Sequence, residues 1–180
     1  ALQAVGNWDE AGRLLSNHAR RLENAGAEVI VLCTNTMHVV ADRITAAISV
    51  PFVHIADTTA QAITKAGLST VGLLGTAFTM EQSFYRDRLA AHGITALIPP
   101  AHDRATVHQV IYEELVHGVI NEASRREFGD IIARLVDEGA QGVILGCTEI
   151  ELLISQVDSP VPVFLTTALH VSAAVTAAMR

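Results

Sequence analysis

Two stretches of the chain repeat one pattern of hydrophobic and polar positions. Each copy passes from an amphipathic helical segment through a Gly-Ala pair into a short apolar run, which ends on Cys-Thr and a polar residue, at 26–35 and 139–149. Because the run is apolar at every position, it predicts a parallel strand covered by helices on both faces. The glycine suits the left-handed residue that ends a helix. We therefore expect strands at 29–32 and 143–145, each with a cysteine after its carboxyl end.

The rest of the chain alternates between helical and strand patterns. Further strands are predicted at 50–55, 70–74, 94–98 and 161–164, and helices at 8–24, 35–47, 57–65, 80–92, 106–119, 123–138, 149–153 and 167–179. This alternation predicts the α/β class with parallel sheets. We expect a first α/β domain at 1–64, a second at 65–164, and a C-terminal helix at 165–180 that returns to the first. The chain has no initiator Met and opens in a predicted helix, so we expect a preceding segment with a further strand.

Composition narrows the functional classes. Half of the residues are apolar and the formal net charge is −7 without a basic cluster, which indicates a globular chain and argues against a nucleic-acid partner. The sequence contains no apolar run of membrane-spanning length and no signal peptide. Two cysteines do not make a disulfide framework, so we expect a reducing, cytoplasmic setting.

Cys33 and Cys147 are the candidate catalytic residues, since they end the two equivalent strands. Two thiols that face one cleft suit inversion at an acidic C–H: a thiolate removes the proton from one face, and a thiol returns a proton to the other. A helix beginning after each cysteine would favour an anion and lower the thiol pKa. The alternative is that both are small apolar residues packed at strand ends.

Polar residues beside the thiols are candidates for substrate binding. Hydroxyls, an amide and free helix N–H groups are what an α-carboxylate requires, although Thr and Asn are equally natural as helix caps at these positions. The candidates are Thr34, Asn35, Thr36, Thr76, Thr148 and Glu149.

Single residues bear on whether the protein uses a metal or a cofactor. His38, five positions after Cys33, would either orient the thiol or pack as an ordinary helix residue. A zinc site through Cys33, His38, Cys147 and a further histidine lacks the usual ligand spacing. Pyridoxal phosphate needs a Schiff-base lysine, and the single lysine, Lys65, is predicted on the surface at the end of a helix. We therefore expect no cofactor and no metal.

The two cysteine segments also resemble known signatures. The stretch 30–39 is similar to the first signature of the aspartate/glutamate racemase family, and 143–150 is similar to the second. Similarity extends to Leu73-Leu74-Gly75-Thr76 and to 111–115. The resemblance implies two similar flavodoxin-like parallel-sheet domains with pseudo-twofold symmetry and an active site in the cleft between them. It also implies cofactor-independent racemisation of amino acids at Cα, and a homodimer.

Residue by residue, the resemblance implies that Cys33 and Cys147 are the acid/base pair. Glu149 after Cys-Thr is similar to the aspartate-type and broad-specificity branch, whereas glutamate racemases carry His there. The residues similar to those that hold the substrate carboxylate and amine are Asn35, Thr36, Thr148 and Thr76.

Four positions depart from the family pattern. Thr34 separates Cys33 from Asn35, where many members have Cys-Asn directly. Glu151 stands where a small residue or Pro is usual, and we expect it near the cleft entrance. Close relatives tend to carry Asp at the position of Leu165. Thr106 lies near the place of a basic residue that contacts a side-chain carboxylate, which weakens the case for an acidic substrate.

We therefore expect a small-molecule amino-acid racemase that acts on aspartate or a broader range. One alternative keeps the scaffold but changes the chemistry to that of a hydantoin racemase, a maleate isomerase or a decarboxylase-like enzyme. A second is a catalytically silent module that binds a small carboxylate, and a third is a metal-binding protein.

Overall fold

The computed structural model describes residues 2–179 and alternates helices with short parallel strands. The strands are β1 (Ile30–Val31), β2 (Phe52–Val53), β3 (Thr70–Gly75), β4 (Thr95–Leu97), β5 (Val143–Gly146) and β6 (Val163–Leu165). The α-helices are α1 (Trp8–Asn24), α2 (Ala41–Thr45), α3 (Ile55–Lys65), α4 (Ala77–Glu81), α5 (Ser83–Ala90), α6 (Ala101–Glu113), α7 (Glu122–Asp137), α8 (Ile150–Leu153) and α9 (Thr166–Ala178).

The strands form two parallel sheets, which confirms the predicted fold class. Strands β1 and β2 pair in the smaller sheet, and the larger sheet has the order β4-β3-β5-β6. After β3 the chain continues to β4 at one edge of the larger sheet, and after β5 it continues to β6 at the opposite edge. The strand order therefore reverses between β3 and β5, and the crevice at such a point is where open α/β sheets bind their ligands.

Helices cover both faces of the larger sheet. On one face, Leu74 and Leu145 pack with apolar residues of α6 and α7. On the other, Leu73 and Ile144 pack with α3 and α5. Alternate residues of one strand thus enter opposite cores, which explains why β3 and β5 are apolar throughout.

A separate small core supports the two-stranded sheet. Ala19 of α1, Ile30 of β1 and Ile44 of α2 are its buried centre. Helix α3, at the end of the segment predicted as the first domain, contributes Ala56, Ala60 and Ile63 to the core of the larger sheet. Helix α9 packs against α3 and both sheets.

The predicted helix ends before the cysteine strands are confirmed. Gly26 and Gly139 have φ of 95° and 105°, a left-handed conformation in which a side chain is strained. Each glycine follows the C-cap residue of its helix and turns the chain into the strand. The repeat in the sequence is therefore a repeat of local structure.

Several predicted helices differ in detail. The segment 35–47 is a 3₁₀ turn (Thr36–Val40) followed by the short α2, and 80–92 breaks at Gln82 into α4 and α5. Helix α6 starts at Ala101 rather than 106, because Pro100 takes the N-cap position and the polar first turn hides the helical period. Helix α3 starts before Asp57, with the His54 side chain as its cap.

No helix within residues 2–179 is both long enough and apolar enough to span a membrane.

The contact between β3 and β5 generates a stability prediction. A Cβ at Gly146 would lie 2.9 Å from the backbone oxygen of Leu74, whereas a Cβ at Gly129 in α7 meets nothing closer than 4.0 Å. Gly146→Ala should therefore lower the free energy of unfolding by about 1–3 kcal/mol through overpacking. Gly129→Ala, the control, should raise it by up to about 1 kcal/mol through helix propensity. Urea unfolding measures both, and a neutral Gly146→Ala would contradict the close approach.

Candidate active site

A cavity of about 310 Å³ lies where the carboxyl ends of β1, β3 and β5 meet. It brings together all of the residues predicted from the sequence, namely Cys33, Thr34, Asn35, Thr36, Thr76, Cys147, Thr148 and Glu149. Gly75 and Gly146 are register partners in β3 and β5, so Thr76 and Cys147 leave the sheet side by side. The position is the point where the strand order reverses.

Cys147 is held as a neutral thiol. Its Sγ donates to Oε2 of Glu149 at 2.9 Å, and the Thr148 hydroxyl donates to the same oxygen at 2.7 Å. Burial and the adjacent carboxylate raise the pKa of the Cys147 thiol to about 12. The lowered pKa that the sequence predicts for this cysteine is therefore wrong: α8 has only four residues, and its dipole does not outweigh burial beside a negative charge.

The pKa of the Glu149 carboxyl is shifted in the opposite direction from that of Cys147. Burial would raise the pKa of its carboxyl, but the hydrogen bonds from Cys147 and Thr148 outweigh this and lower the pKa. The carboxylate thus stays charged, and the proton stays on sulfur. In this arrangement Cys147 is a protonated thiol whose S–H is directed at Glu149.

Cys33 occupies a different environment, since it is exposed. The turn that follows Cys33 is fixed by His38, whose Nδ1 donates to the backbone oxygen of Thr34 at 2.7 Å. The Nε2 of His38 accepts from the backbone N–H of Ile55 at 3.2 Å. Both ring nitrogens are engaged, so the ring positions the loop and offers no lone pair to a metal beside Cys33. No group of three His, Cys, Asp or Glu within 2–179 is placed to hold a metal ion.

Three buried hydroxyls close the base of the cavity. The Oγ1 atoms of Thr36, Thr76 and Thr79 form a triangle with sides of 3.2, 3.2 and 3.3 Å. A hydroxyl can rotate its proton and both donate and accept. The triangle can therefore present donors to an anion in the cavity without any movement of the backbone.

Glu151 lies outside the cavity lining. Its Oε1 accepts from the backbone N–H of Thr167 at 2.9 Å, so it caps the first turn of α9. Leu165, the N-cap residue of that helix, makes no side-chain cap. Glu151 thus supplies the side-chain cap that Leu165 does not provide. The expected position at the cleft entrance is wrong for this reason.

Five further residues line the cavity that the sequence does not predict as site residues: Gln3, Ile111, Tyr112, Val116 and Gly146. Tyr112 accepts a hydrogen bond from Nε2 of Gln3 at 2.9 Å. Burial and the proximity of Cys147 and Glu149 raise the pKa of the Tyr112 hydroxyl. Ile111 and Tyr112 fall in the stretch 111–115 that resembles the family, which was the available signal. Gln3 and Val116 have no motif around them.

The cavity lining within the described chain contains no arginine and no lysine. Lys65 is exposed at the end of α3, as predicted. Glu149 is the charged carboxylate of the site. Any anion bound here must therefore be held by hydroxyls, amides and backbone N–H groups.

Comparison with known proteins identifies the family of the chain. The Asp/Glu/hydantoin racemase family profile matches residues 1–174. The chain belongs to the Asp/Glu/hydantoin racemase family. It is 54% identical to a crystal structure from Yersinia pestis assigned as an Asp/Glu racemase, with a TM-score of 0.94 over 99% of this chain and 78% of that one.

Two other relatives widen the comparison. An aspartate racemase homologue from Pyrococcus horikoshii OT3 is 35% identical, with a TM-score of 0.89 over 99% of this chain and 79% of that one. The broad-specificity amino-acid racemase RacX of Bacillus subtilis is 26% identical over 159 residues, which are 86% of this chain and 66% of that protein. The chain thus spans just under two thirds of RacX.

The different environments of Cys33 and Cys147 predict different rates of alkylation. With a pKa of about 12, only about 10⁻⁴ of Cys147 is thiolate at pH 8. Iodoacetamide should therefore alkylate the exposed Cys33 well before Cys147, as peptide mass spectrometry would show. Glu149→Gln removes the opposing charge with little change of shape, and should speed alkylation of Cys147 several-fold while Cys33 is unchanged. Equal rates at the two cysteines of the unmodified protein would contradict the asymmetry.

Two histidines that accept hydrogen bonds from the first turn of α3, His38 and His54, generate a prediction for the pH dependence of stability. Burial lowers the pKa of His38 to about 3 and that of His54 to about 4. Both rings accept a backbone N–H, from Ile55 and Ala56 respectively, and protonation would place donor against donor. Between pH 6.5 and about 4 the unfolded chain binds more protons, so stability falls as pH falls, by up to ~1.4 kcal/mol per pH unit for each histidine.

Urea midpoints between pH 7 and pH 5 test this linkage. His54→Gln should flatten the slope, because the amide does not titrate in this range. His117→Gln, at an exposed histidine, is the control and should leave the slope unchanged. A wild-type midpoint that does not move between pH 7 and pH 5 would show that these imidazoles are not held neutral.

Proposed function

We propose that the protein is an amino-acid racemase that needs no cofactor and works by a two-thiol, two-base mechanism. The observation that carries the proposal is the presence of Cys33 and Cys147 in one cavity, at the ends of equivalent strands, in a chain of this family. The small-molecule substrate would lie between the two thiols.

The proposed step balances in protons. A thiolate on Cys33 removes the proton from Cα of the bound amino acid, and Cys33 becomes a thiol. The S–H of Cys147 gives its proton to the opposite face of the carbanion and becomes a thiolate beside Glu149. The reverse reaction exchanges these two assignments. Glu149 supports the first direction, because it keeps the proton on Cys147 until a stronger base, the carbanion, is present.

The substrate's polar groups would be held by the remaining cavity residues. The hydroxyls of Thr36 and Thr76 are proposed donors to the α-carboxylate, together with Thr34 and Thr148. The carbonyl of Asn35 is the proposed acceptor for the ammonium group, and Glu149 adds the negative charge that an ammonium favours. Delocalisation of the carbanion into a hydrogen-bonded carboxylate stabilises the transition state.

We propose a substrate range of aspartate or a broader set of amino acids. The lining within residues 2–179 has no cationic side chain for a second carboxylate, and Ile111 and Val116 give it an apolar wall. Both features favour the broader range. The activity that RacX of Bacillus subtilis carries in its name is of this kind.

The test follows the Cα–H signal of L-amino acids by proton NMR in D₂O, with aspartate and neutral amino acids in the panel. We expect loss of the signal on at least one substrate. Two separate bases predict that the product enantiomer carries deuterium while the remaining substrate initially keeps its proton. Cys33→Ala and Cys147→Ala should each abolish racemisation, whereas Thr58→Val, outside the cavity, should not.

Three experimental outcomes would contradict the proposed function or favour a different one. Full activity in either cysteine variant would refute the two-base mechanism. Exchange only on hydantoins, or turnover of maleate, would move the protein to those relatives of the superfamily. Binding of a carboxylate without Cα exchange would identify a catalytically silent module, which the raised pKa of Cys147 favours as the second candidate.

We further propose a cytoplasmic homodimer and the domain division 1–64, 65–164 and 165–180. Support for a dimer comes from α9, where the exposed residues Val171 and Val175 lie four positions apart on one helix face, with the exposed Met179 directly after the helix. Light scattering of the purified protein would decide the oligomeric state.

A further inference from the structure

Thr166 occupies a junction between the two cysteine segments. It follows Leu165, the last residue of β6, whose register partner in β5 is Leu145. Its side chain is fully buried, and its hydroxyl donates to the backbone oxygen of Leu145 at 2.9 Å. The hydroxyl oxygen of Thr166, Oγ1, in turn accepts from Nδ2 of Asn35 at 3.1 Å. One hydroxyl therefore connects Asn35, two residues after Cys33, to Leu145, two residues before Cys147.

The direction of these two hydrogen bonds fixes the Asn35 amide. A hydroxyl has one proton, and Thr166 gives it to Leu145, whose carbonyl can only accept. The Asn35 group that meets Thr166 must then be the NH₂ end. Oδ1 is consequently left as a buried acceptor without a hydrogen-bond partner among the described residues. Such a group is costly unless something satisfies it.

We propose that Thr166 is a positioning residue for the active site: it fixes the orientation of Asn35, so that the amide oxygen is reserved for a substrate N–H donor, and it sets the spacing of the two cysteine segments. This inference rests on the proposed function for its catalytic consequence. Its structural part, the Asn35–Thr166–Leu145 connection, stands on the geometry alone. Thr166 does not line the cavity, so it acts through Asn35.

The reason that such a connection matters is geometric. Transfer of a proton to and from Cα requires both sulfur atoms and the substrate within a fraction of an ångström of the reactive arrangement. The segment after Cys33 is a 3₁₀ turn from the small sheet, and Cys147 follows a strand of the large one. Hydrogen bonds that cross between these elements keep the two thiols at a fixed distance and orientation.

Thr166→Val tests the proposal, because valine matches threonine in shape and lacks the hydroxyl. We expect kcat for racemisation to fall by roughly 10- to 100-fold, and KM to rise because Asn35 loses its fixed orientation. Thr166→Ser keeps the hydroxyl and should restore kcat to within a few-fold. The control is Thr58→Val, at a buried threonine whose hydroxyl bonds within α3, which should keep wild-type kinetics.

A measurement on the unmodified protein does not depend on activity or on a variant that folds. In ¹⁵N-correlated NMR, the Asn35 side-chain amide protons should exchange slowly with solvent, whereas those of the exposed Asn24 exchange fast. Thr166→Val should abolish this protection. Fast exchange at Asn35 in the unmodified protein would overturn the proposal, and so would wild-type kcat in Thr166→Val.

Different results would refute the proposed racemase function and the proposed positioning function of Thr166. If no amino acid undergoes Cα exchange while the Asn35 amide is protected, the proposed function is wrong and the connection through Thr166 is right. If racemisation is found but Thr58→Val loses as much activity as Thr166→Val, the effect is general loss of packing, and the positioning function of Thr166 is refuted.

Discussion

The close contact of β3 with β5 is the constraint on which the rest of the structure depends. Gly75 and Gly146 face each other in register, and a Cβ on either one would lie within 3.1 Å of a backbone oxygen of the other strand. Side chains cannot separate the strands at this point. The loops that carry Thr76 and Cys147 therefore leave the sheet close together, and the reversal of strand order opens a crevice between them.

The site is symmetric in sequence and asymmetric in its electrostatics. Each cysteine follows an apolar strand that is preceded by a left-handed glycine, so the backbone repeats. Cys147 is nevertheless half-buried beside the carboxylate of Glu149, and Cys33 is exposed beside a turn that His38 holds. Two groups of one kind in unlike environments are an arrangement that acid–base chemistry at a carbon atom uses. The asymmetry comes from neighbours in space and not from the repeat itself.

Buried polar groups connect the elements around the cavity. His38 joins the turn after Cys33 to α3, Thr166 joins Asn35 to β5, and Glu151 joins α8 to α9. Each of these hydrogen bonds satisfies a backbone or amide group that would otherwise be buried at a cost. The same bonds position the residues that face the cavity, so the demands of stability and of site geometry are met by the same atoms.

The sequence by itself determined the fold class and the position of the candidate site. Apolar runs such as 143–145 are strands wherever helices cover both faces, and parallel strands end at one edge, so residues that follow them are brought together. The paired cysteine segments were sufficient to indicate the family, which the comparisons confirm. The functional assignments of the individual residues stay a proposal.

Only the tertiary structure decided the environment of each group. The low pKa expected for Cys147 from its helix was wrong, because burial and Glu149 dominate, and neither is visible in a local pattern. The first half of the helix predicted at 35–47 is a 3₁₀ turn, in which Thr36 and His38 form side-chain hydrogen bonds to distant residues and to the turn itself. Thr166 and Gln3 carried no signal, because each forms a hydrogen bond with a residue more than 100 positions away along the chain. Hydrophobic periodicity reports which face of an element is covered; it does not report which polar atom lies opposite which.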